Sequence, residues 1–522
     1  MSQKRKAAIA MSGAEFKSAG HQLIDKISLF LDSIQQKPVT TGESPRQLQK
    51  LLQSIKFPVT GKSAETLLLD AADKLFDHSL FNGHPKFHGY ITSAPAPIGA
   101  LADLLASAVN ANVGAQVLSP MATEIEKQTI SWLAEFIGLP SSYGGIMVSG
   151  GNMANFTGFM AGITAKAPKT IKEEGISTDA GRLFIYCSTA THTWIDKAAV
   201  LFGLGKKSVK WIKTDALGRM DLQLLEQTIL NDLEEGGKPI MIIGTAGDVS
   251  TGVVDDMKSL AIISRRYNLW FHIDGAYGIC AAVVPSLKQM FEGIEEADSI
   301  ALDPHKWLYS PLEAGCTLVK DPNHLMETYS SHPVYYNFDS HDNDVTHNFY
   351  EYGFQNSRGF RALKVWLALQ QVGSSGYIAM IEEDIRLSKL LYTLADKHPE
   401  LEAVTQNLSI TTLQFVPMEF QHRDNVTDNV TDNSTDNSTT NPNMTMETLN
   451  ELNKTLLNDL QHNGEVFLSN AIVGEKYCLR SCIVNFRTTE KDIAEIIDII
   501  VRTGRKIYHS NYSVYPTATN NS

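Results

Sequence analysis

The rhythm of apolar positions changes twice along the chain, which divides it into three parts. In the first ninety residues, Phe16, Leu23, Ile24, Ile27, Phe30, Leu31 and Ile34 recur at spacings of three, four and seven, the apolar stripe of an amphipathic helix. A second helical stretch covers residues 67–76, ahead of a turn-rich segment around Gly83, Pro85 and Gly89. Such a stripe needs an outside surface to cover it, so residues 1–92 read as a helical arm and not as an independent domain. From 93 to 375, short apolar runs alternate with longer periodic segments. Residues 146–148, 183–186, 240–243, 269–273 and 316–319 have the length and apolarity of buried strands. Thr123 with Glu126 reads as the capping box of a helix carrying Ile125, Ile130, Leu133, Phe136 and Ile137, which Gly138 and Pro140 stop. The alternation predicts an α/β domain with a mostly parallel central sheet.

Beyond 376 the pattern predicts a small α+β domain, residues 376–522. Its strands are expected at 413–416 and 477–486, and its helices at 449–460 and 493–501. A repeat that begins Asp424-Asn425-Val426-Thr427 and runs through Thr439 has almost nothing to bury, so a disordered insert is expected at about 421–447. Its Asn-x-Ser/Thr triplets would accept glycans only in a secretory protein.

Composition narrows the function classes. A chain of 522 residues exceeds one ordinary core. The net charge of -13 argues against nucleic acid, where basic side chains supply most of the affinity. No run of eighteen apolar residues would span a membrane, and the apolar stretch Ala7-Ala8-Ile9-Ala10-Met11 is too short for a secretory leader. Cys187, Cys280, Cys316, Cys478 and Cys482 are odd in number and scattered through apolar runs. They are expected to be buried, reduced thiols in a cytoplasmic protein without a metal site.

Four segments of the middle part carry chemistry. Ser149-Gly150-Gly151-Asn152 follows a strand and opens a helix, where glycine admits close approach and free N–H groups favour an anion. Taken alone it is equally a tight strand–helix turn. His272-Ile273-Asp274-Gly275-Ala276-Tyr277 puts a carboxylate at a strand's C-terminal end, the ligand edge of an open α/β sheet. Asp274 there pairs with a cation or caps a turn. Asp303-Pro304-His305-Lys306-Trp307 places Lys306 beside an aromatic ring, where desolvation favours a neutral, nucleophilic amine; most lysines are simply solvated. Thr191-His192-Thr193-Trp194 sets a histidine at a strand end, to stack on a ring or to serve the structure alone.

In this order the segments resemble the fold type I pyridoxal-5'-phosphate (PLP) enzymes, and among them the group II amino-acid decarboxylases. The resemblance runs from about Glu15 to Lys506 and is nearest to the aromatic L-amino-acid and tyrosine decarboxylases. The Asp-Pro-His-Lys-Trp and His-Ile-Asp-Gly-Ala-Tyr runs carry it most specifically. It implies that Lys306 holds PLP as a Schiff base, that Asp274 pairs with the ring nitrogen and that His192 stacks on the ring. It further implies that Gly151 and Asn152 hold the phosphate with His305 close by, and that Ser93 and His192 meet the substrate. Tyr335, on a mobile loop, would protonate the substrate carbon. Arg358 also matches, without a role. A homodimer with its active site at the interface is implied, with an amino acid as substrate and neither membrane nor nucleic acid as partner.

Two departures stand out. Asp248 and Val249 replace two threonines usual in similar enzymes, one of which helps hold the cofactor. The pocket segment Asn112-Val113-Gly114-Ala115-Gln116 lacks the aromatic residues of the animal enzymes. Three readings stay open: an amino-acid decarboxylase, another PLP activity such as aldehyde synthesis or lysis of a phosphorylated amino alcohol, and a silent binding homologue.

Overall fold

The computed structural model describes residues 7–53, 55–176, 181–331, 346–421 and 445–511. Its central sheet has seven strands: β1 (Gly144–Val148), β2 (Leu183–Ser188), β3 (Val209–Ile212), β4 (Lys238–Thr245), β5 (Trp270–Asp274), β6 (Ser299–Leu302) and β7 (Gly315–Val319). They lie in the order β1-β7-β6-β5-β4-β2-β3. The pairs from β3 to β6 are all parallel, and β7 alone runs against both its neighbours. Every residue of β2 and β5 is buried, which is why these strands read as unbroken apolar runs. β3 escaped the apolar-run criterion because it is an edge strand whose Lys210 and Trp211 reach outward.

One sequence expectation is corrected. The helix α5 (Pro120–Phe136), which follows α1 (Gly13–Ser33), α2 (Pro45–Gln53), α3 (Ala64–Asp77) and α4 (Pro97–Val109), begins at Pro120. Proline at the first helical position has its φ already set and no N–H to lose, so the helix starts before Thr123. Thr123 and Glu126 are therefore interior and buried, and are not a capping box. The Glu126 carboxylate instead meets the buried Arg358 guanidinium, which also donates to the carbonyls of Val113 (2.7 Å) and Met147 (2.6 Å). Arg358 thus ties the 113 segment, α5 and β1 together and does not line the ligand cavity.

A four-stranded antiparallel sheet in the order β10-β11-β9-β8 follows, made of β8 (Leu401–Asn407), β9 (Ile410–Phe415), β10 (Ser469–Val473) and β11 (Lys476–Cys482). The helices Met446–His462 and Glu490–Asn511 accompany it. The long helix Ala362–Lys397 leads into it and breaks at Gly373, where φ is 67°. Each sheet has its own apolar core, and Leu408, Ile410, Cys482 and Val484 of the smaller unit pack into the larger core. Most of the expected insert, residues 422–444, lies outside the described residues; at its end, Thr445 caps the helix that starts at Met446.

In the arm, α1 packs on α3 through stacked Phe30 and Phe76, centroids 4.3 Å apart. Phe16, Ile24 and Leu29 stay exposed, as do Leu101, Leu104, Leu105 and Val109 of α4. All five cysteines are buried and free. No helix among the described residues is long and apolar enough to cross a membrane.

Candidate active site

At the C-terminal edge of the parallel strands a cavity of about 710 Å³ opens, and Gly151, Asn152, His192, Asp274, His305 and Lys306 line it. Asp274 is the last residue of β5, beside Thr245 at the end of β4 and Ala301 in β6. The residue is 6% exposed. The indole N–H of Trp194 donates to Oδ2 at 2.7 Å, and the Ala276 N–H reaches Oδ1 only at 3.3 Å. Two residues earlier on the same strand face, His272 is fully buried between Asn155 Oδ1 and Ser299 Oγ, both at 2.8 Å. Desolvation pushes its imidazole down to about 4, so at neutral pH it is uncharged.

Opposite Asp274, β1 turns through Ser149 and Gly150 into the helix α6 (Gly151–Lys166), whose N-terminus has no side-chain cap. A Cβ at Gly151 would sit 2.7 Å from Asp303 Oδ2 and 3.1 Å from Ala276 Cβ, so only glycine lets the helix start this close. The Lys306 amine lies 3.1 Å from Asp303 Oδ2. Asp303 is 1% exposed, and its other oxygen is buried without a hydrogen-bond partner. The next residue, Trp307, anchors the lysine turn: its indole N–H donates to Asp384 Oδ2 at 2.8 Å, and its ring stacks on Tyr277 at 4.9 Å. Burial raises the Asp384 carboxyl to about 7.

His192 is at the cavity's open side, its Nδ1 accepting from the Trp194 N–H at 3.3 Å. Partial desolvation holds its imidazole below the usual range. Burial does the same to His305, whose Nδ1–H donates to the Ala314 carbonyl at 2.7 Å.

This charge layout has a direction: an anion-seeking helix start at one end, a buried carboxylate at the other, and an amine between acidic groups along the way. The sequence matches the pyridoxal-dependent decarboxylase conserved domain over residues 45–416. The chain belongs to the pyridoxal-dependent decarboxylases. It is 32% identical to an aromatic-L-amino-acid decarboxylase of Bacillus atrophaeus, across 94% of this chain and 95% of that protein. Tyrosine decarboxylase 4 of Petroselinum crispum is 27% identical, with 90% and 89% covered. The crystal structure of Rhodiola rosea 4-hydroxyphenylacetaldehyde synthase superposes with a TM-score of 0.81 at 25% identity, covering 95% of this chain and 99% of that one. The protein is thus a PLP-dependent carboxy-lyase acting on an amino acid. Its cavity fits the cofactor: the glycine cradle admits a phosphate, and Asp274 has acceptor capacity left for a protonated ring nitrogen.

Not every expected residue is at this decarboxylase cavity. Ser93 does not line it; Ile91 and Thr92 do. The Ser93 hydroxyl donates to the His305 carbonyl at 2.9 Å, behind the cavity wall, so it contacts the lysine turn. None of residues 112–116 lines the cavity either, since backbone bonds from Val113 to Arg358 and from Tyr350 to Gly114 hold that segment on the far side of the wall. Tyr335 lies outside the described residues. Asp248, one of the two residues that depart from the threonine pair, spends its carboxylate on the N–H groups of Ser250, Thr251 and Val253 at 2.8–2.9 Å. Two lining or adjoining groups had no reading in the sequence. Trp194 was visible only as the neighbour of His192, and Arg480 only as part of an apolar strand. Arg480 is 4% exposed, donates to Ser469 Oγ at 2.9 Å and to the Val249 carbonyl, and brings the small unit into the cavity wall. A charged residue amid Cys478, Leu479 and Cys482 was the available signal.

Proposed function

We propose that the chain converts an aromatic L-amino acid to its amine and carbon dioxide, as a cytoplasmic homodimer. The observation that carries the reading is the convergence of Lys306, Asp274, His192 and the α6 N-terminus on one cavity. The aromatic preference rests on the substrates named for the Bacillus atrophaeus and Petroselinum crispum relatives. The dimer rests on the exposed apolar residues of α1 and α4, which a second copy would cover.

When bound, pyridoxal phosphate supplies a cationic ring that takes up the electron pair left on the substrate carbon as carbon dioxide departs. Lys306 would hold the cofactor through its amine. Gly151 and Asn152 take the phosphate at the helix start, with His305 beside them. Asp274 keeps the ring nitrogen protonated, and the neutral His272 behind it adds no competing charge. His192, which lines the cavity, would lie against the ring. Ser93 acts through the His305 carbonyl and not on the substrate itself. Asp248 shapes its loop and leaves the ring to Asp274 and His192. After carbon dioxide leaves, Tyr335 delivers a proton to the substrate carbon, directly or through His192.

The large PLP-binding domain at 93–375, the arm at 1–92 and the small domain at 376–522 divide this work: the first holds the cofactor, the others close it in. Aldehyde synthesis is the second reading, since such an enzyme shares the scaffold; Tyr335, where phenylalanine would suggest that chemistry, favours the amine. The test is a product assay for amine, aldehyde and carbon dioxide over aromatic, acidic and phosphorylated substrates. Amine and carbon dioxide in equal amounts are expected from an aromatic amino acid, and from Tyr335→Phe in the presence of dioxygen as oxidant carbon dioxide with aldehyde, ammonia and hydrogen peroxide in place of amine. No carbon dioxide from any aromatic amino acid would remove the aromatic reading, and full amine output from Tyr335→Phe would remove Tyr335 from the mechanism.

A further inference from the structure

The long helix Ala362–Lys397 carries three acidic residues in a row, Glu382, Glu383 and Asp384, and the third stands apart from the other two. Glu382 and Glu383 face solvent, whereas Asp384 is 2% exposed. A carboxylate taken out of water needs donors. Two of them come from the lysine turn: the Trp307 indole N–H at 2.8 Å and the Tyr309 hydroxyl, both on Oδ2. A backbone hydrogen bond from Asn485 of the small unit joins them.

The turn has a reason to need such an outside hold. It closes on its own backbone, with the N–H groups of Lys306, Tyr309 and Ser310 donating to the carbonyls of Asp303 (2.9 Å), Lys306 (3.2 Å) and Pro304 (3.1 Å). In closing, Tyr309 takes a φ of 56°, a left-handed conformation that a bulky side chain seldom adopts. Strain of this kind persists only where the surroundings impose it. Tyr309 is held at both ends: its carbonyl accepts from the Ala96 N–H at 2.8 Å, and its buried hydroxyl ends on Asp384. Trp307, the immediate neighbour of Lys306, is held by the same carboxylate and by its stack on Tyr277. Asp384 itself does not line the cavity into which Lys306 reaches.

We propose that Asp384 is the positioning residue of Lys306: through Trp307 and Tyr309 its carboxylate fixes the turn that aims the Lys306 amine into the cavity. The proposal rests on Lys306 as the residue that holds the cofactor. Asp384 lies past the break at Gly373, just before Leu387, Leu391 and Ala395, which belong to the core of the small unit. The small unit therefore sets the place of a lysine that the large domain carries.

The test is visible circular dichroism of the cofactor-saturated holoenzyme, beside steady-state rates and thermal midpoints. Asp384→Leu takes the acceptor from both donors, so the visible signal should fall to about half or less and kcat roughly tenfold or more, with KM near parent. Asp384→Asn keeps an oxygen for the two donors and should recover most of both signals. Tyr309→Phe should show a smaller loss of the same kind, and almost no further loss when added to Asp384→Leu, where the acceptor is already gone. Parent-like dichroism and kcat in Asp384→Leu, with only the thermal midpoint lowered, would make Asp384 a stability element and overturn the proposal. A Tyr309→Phe loss of full size in the Asp384→Leu background would overturn it too. If the leucine variant does not fold, Tyr309→Phe carries the test, and parent-like dichroism and kcat there would overturn the proposal. Borohydride tagging of the parent separates the two readings. A tag on a lysine other than Lys306 removes the cofactor-holding role and this proposal with it; a tag on Lys306 beside an unaffected Asp384→Leu removes this proposal alone.

Discussion

Two neighbouring strand ends in the central sheet each present a buried aspartate, and they put it to opposite use. Past the end of β4, Asp248 accepts three backbone N–H groups and the Thr251 hydroxyl, so its acceptor capacity is consumed in closing a loop. At the end of β5, Asp274 takes one short bond on Oδ2 and one long contact on Oδ1, and it lines the cavity. Both are almost fully buried, at 3% and 6% exposure. Burial at a strand's C-terminal edge therefore does not mark the working carboxylate; unspent acceptor capacity does.

The largest expected effect breaks the β5 side. Asp274→Asn removes the charge proposed to face the ring nitrogen, and kcat should fall by about a hundredfold or more while cofactor affinity changes far less. Steady-state rates beside a PLP titration of the apoprotein check it, and near-normal turnover would sink the assigned role.

Next comes Asp255, which accepts the N–H groups of Met220 (2.7 Å) and Thr245 (2.8 Å) beneath β4. Burial still raises its carboxyl to about 6. With the folded value above the ordinary 3.8, the folded chain keeps a proton that the unfolded chain has released between these two values. Stability is therefore fully present below that window and is lost as pH rises through it, by about 3 kcal/mol. Asp255→Asn should flatten this part of the pH–stability curve; an unchanged slope in denaturant melts from about pH 4 to about pH 7 would contradict it.

Asp248→Asn should then show the β4 pattern: a loss of about 2 kcal/mol in stability with kcat close to parent, because an amide cannot accept all the donors. A large fall in kcat at unchanged thermal midpoint would put Asp248 with the cofactor after all. The smallest effect sharpens the β5 side. Trp194→Phe keeps a ring in a buried site and deletes the donor to Asp274, so kcat should drop roughly tenfold with KM unchanged. If KM moved and kcat did not, Trp194 would shape the substrate pocket instead.

These contrasts also explain what the sequence makes legible. Strands buried on both faces announce themselves as apolar runs, as β2, β4 and β5 do, whereas the edge strand β3 mixes Lys210 and Trp211 with Val209 and Ile212. In the small sheet, β8 is half-exposed along its length and gives no such run. Lys306, Asp274, His192 and Gly151 are readable because the chemistry is packed into short continuous segments. Trp194 is not, because the atom that its indole serves is 80 residues away. The same distance problem misread Glu126: local spacing suggested a cap with Thr123, whereas the helix already starts at Pro120 and the Glu126 carboxylate meets Arg358, 232 residues beyond. Ser93 is placed by its hydroxyl bond to the His305 carbonyl, 212 residues away, which local sequence does not announce.

The account turns on Lys306 as the residue that holds the cofactor, with its amine 3.1 Å from Asp303 at the floor of the cavity. Borohydride reduction of the yellow holoenzyme, followed by proteolysis and mass mapping, reads this directly. The account predicts the pyridoxyl mass on the peptide carrying Asp303-Pro304-His305-Lys306-Trp307 and on no other. A tag on a different lysine, or coloured protein that yields no tagged peptide, would contradict it.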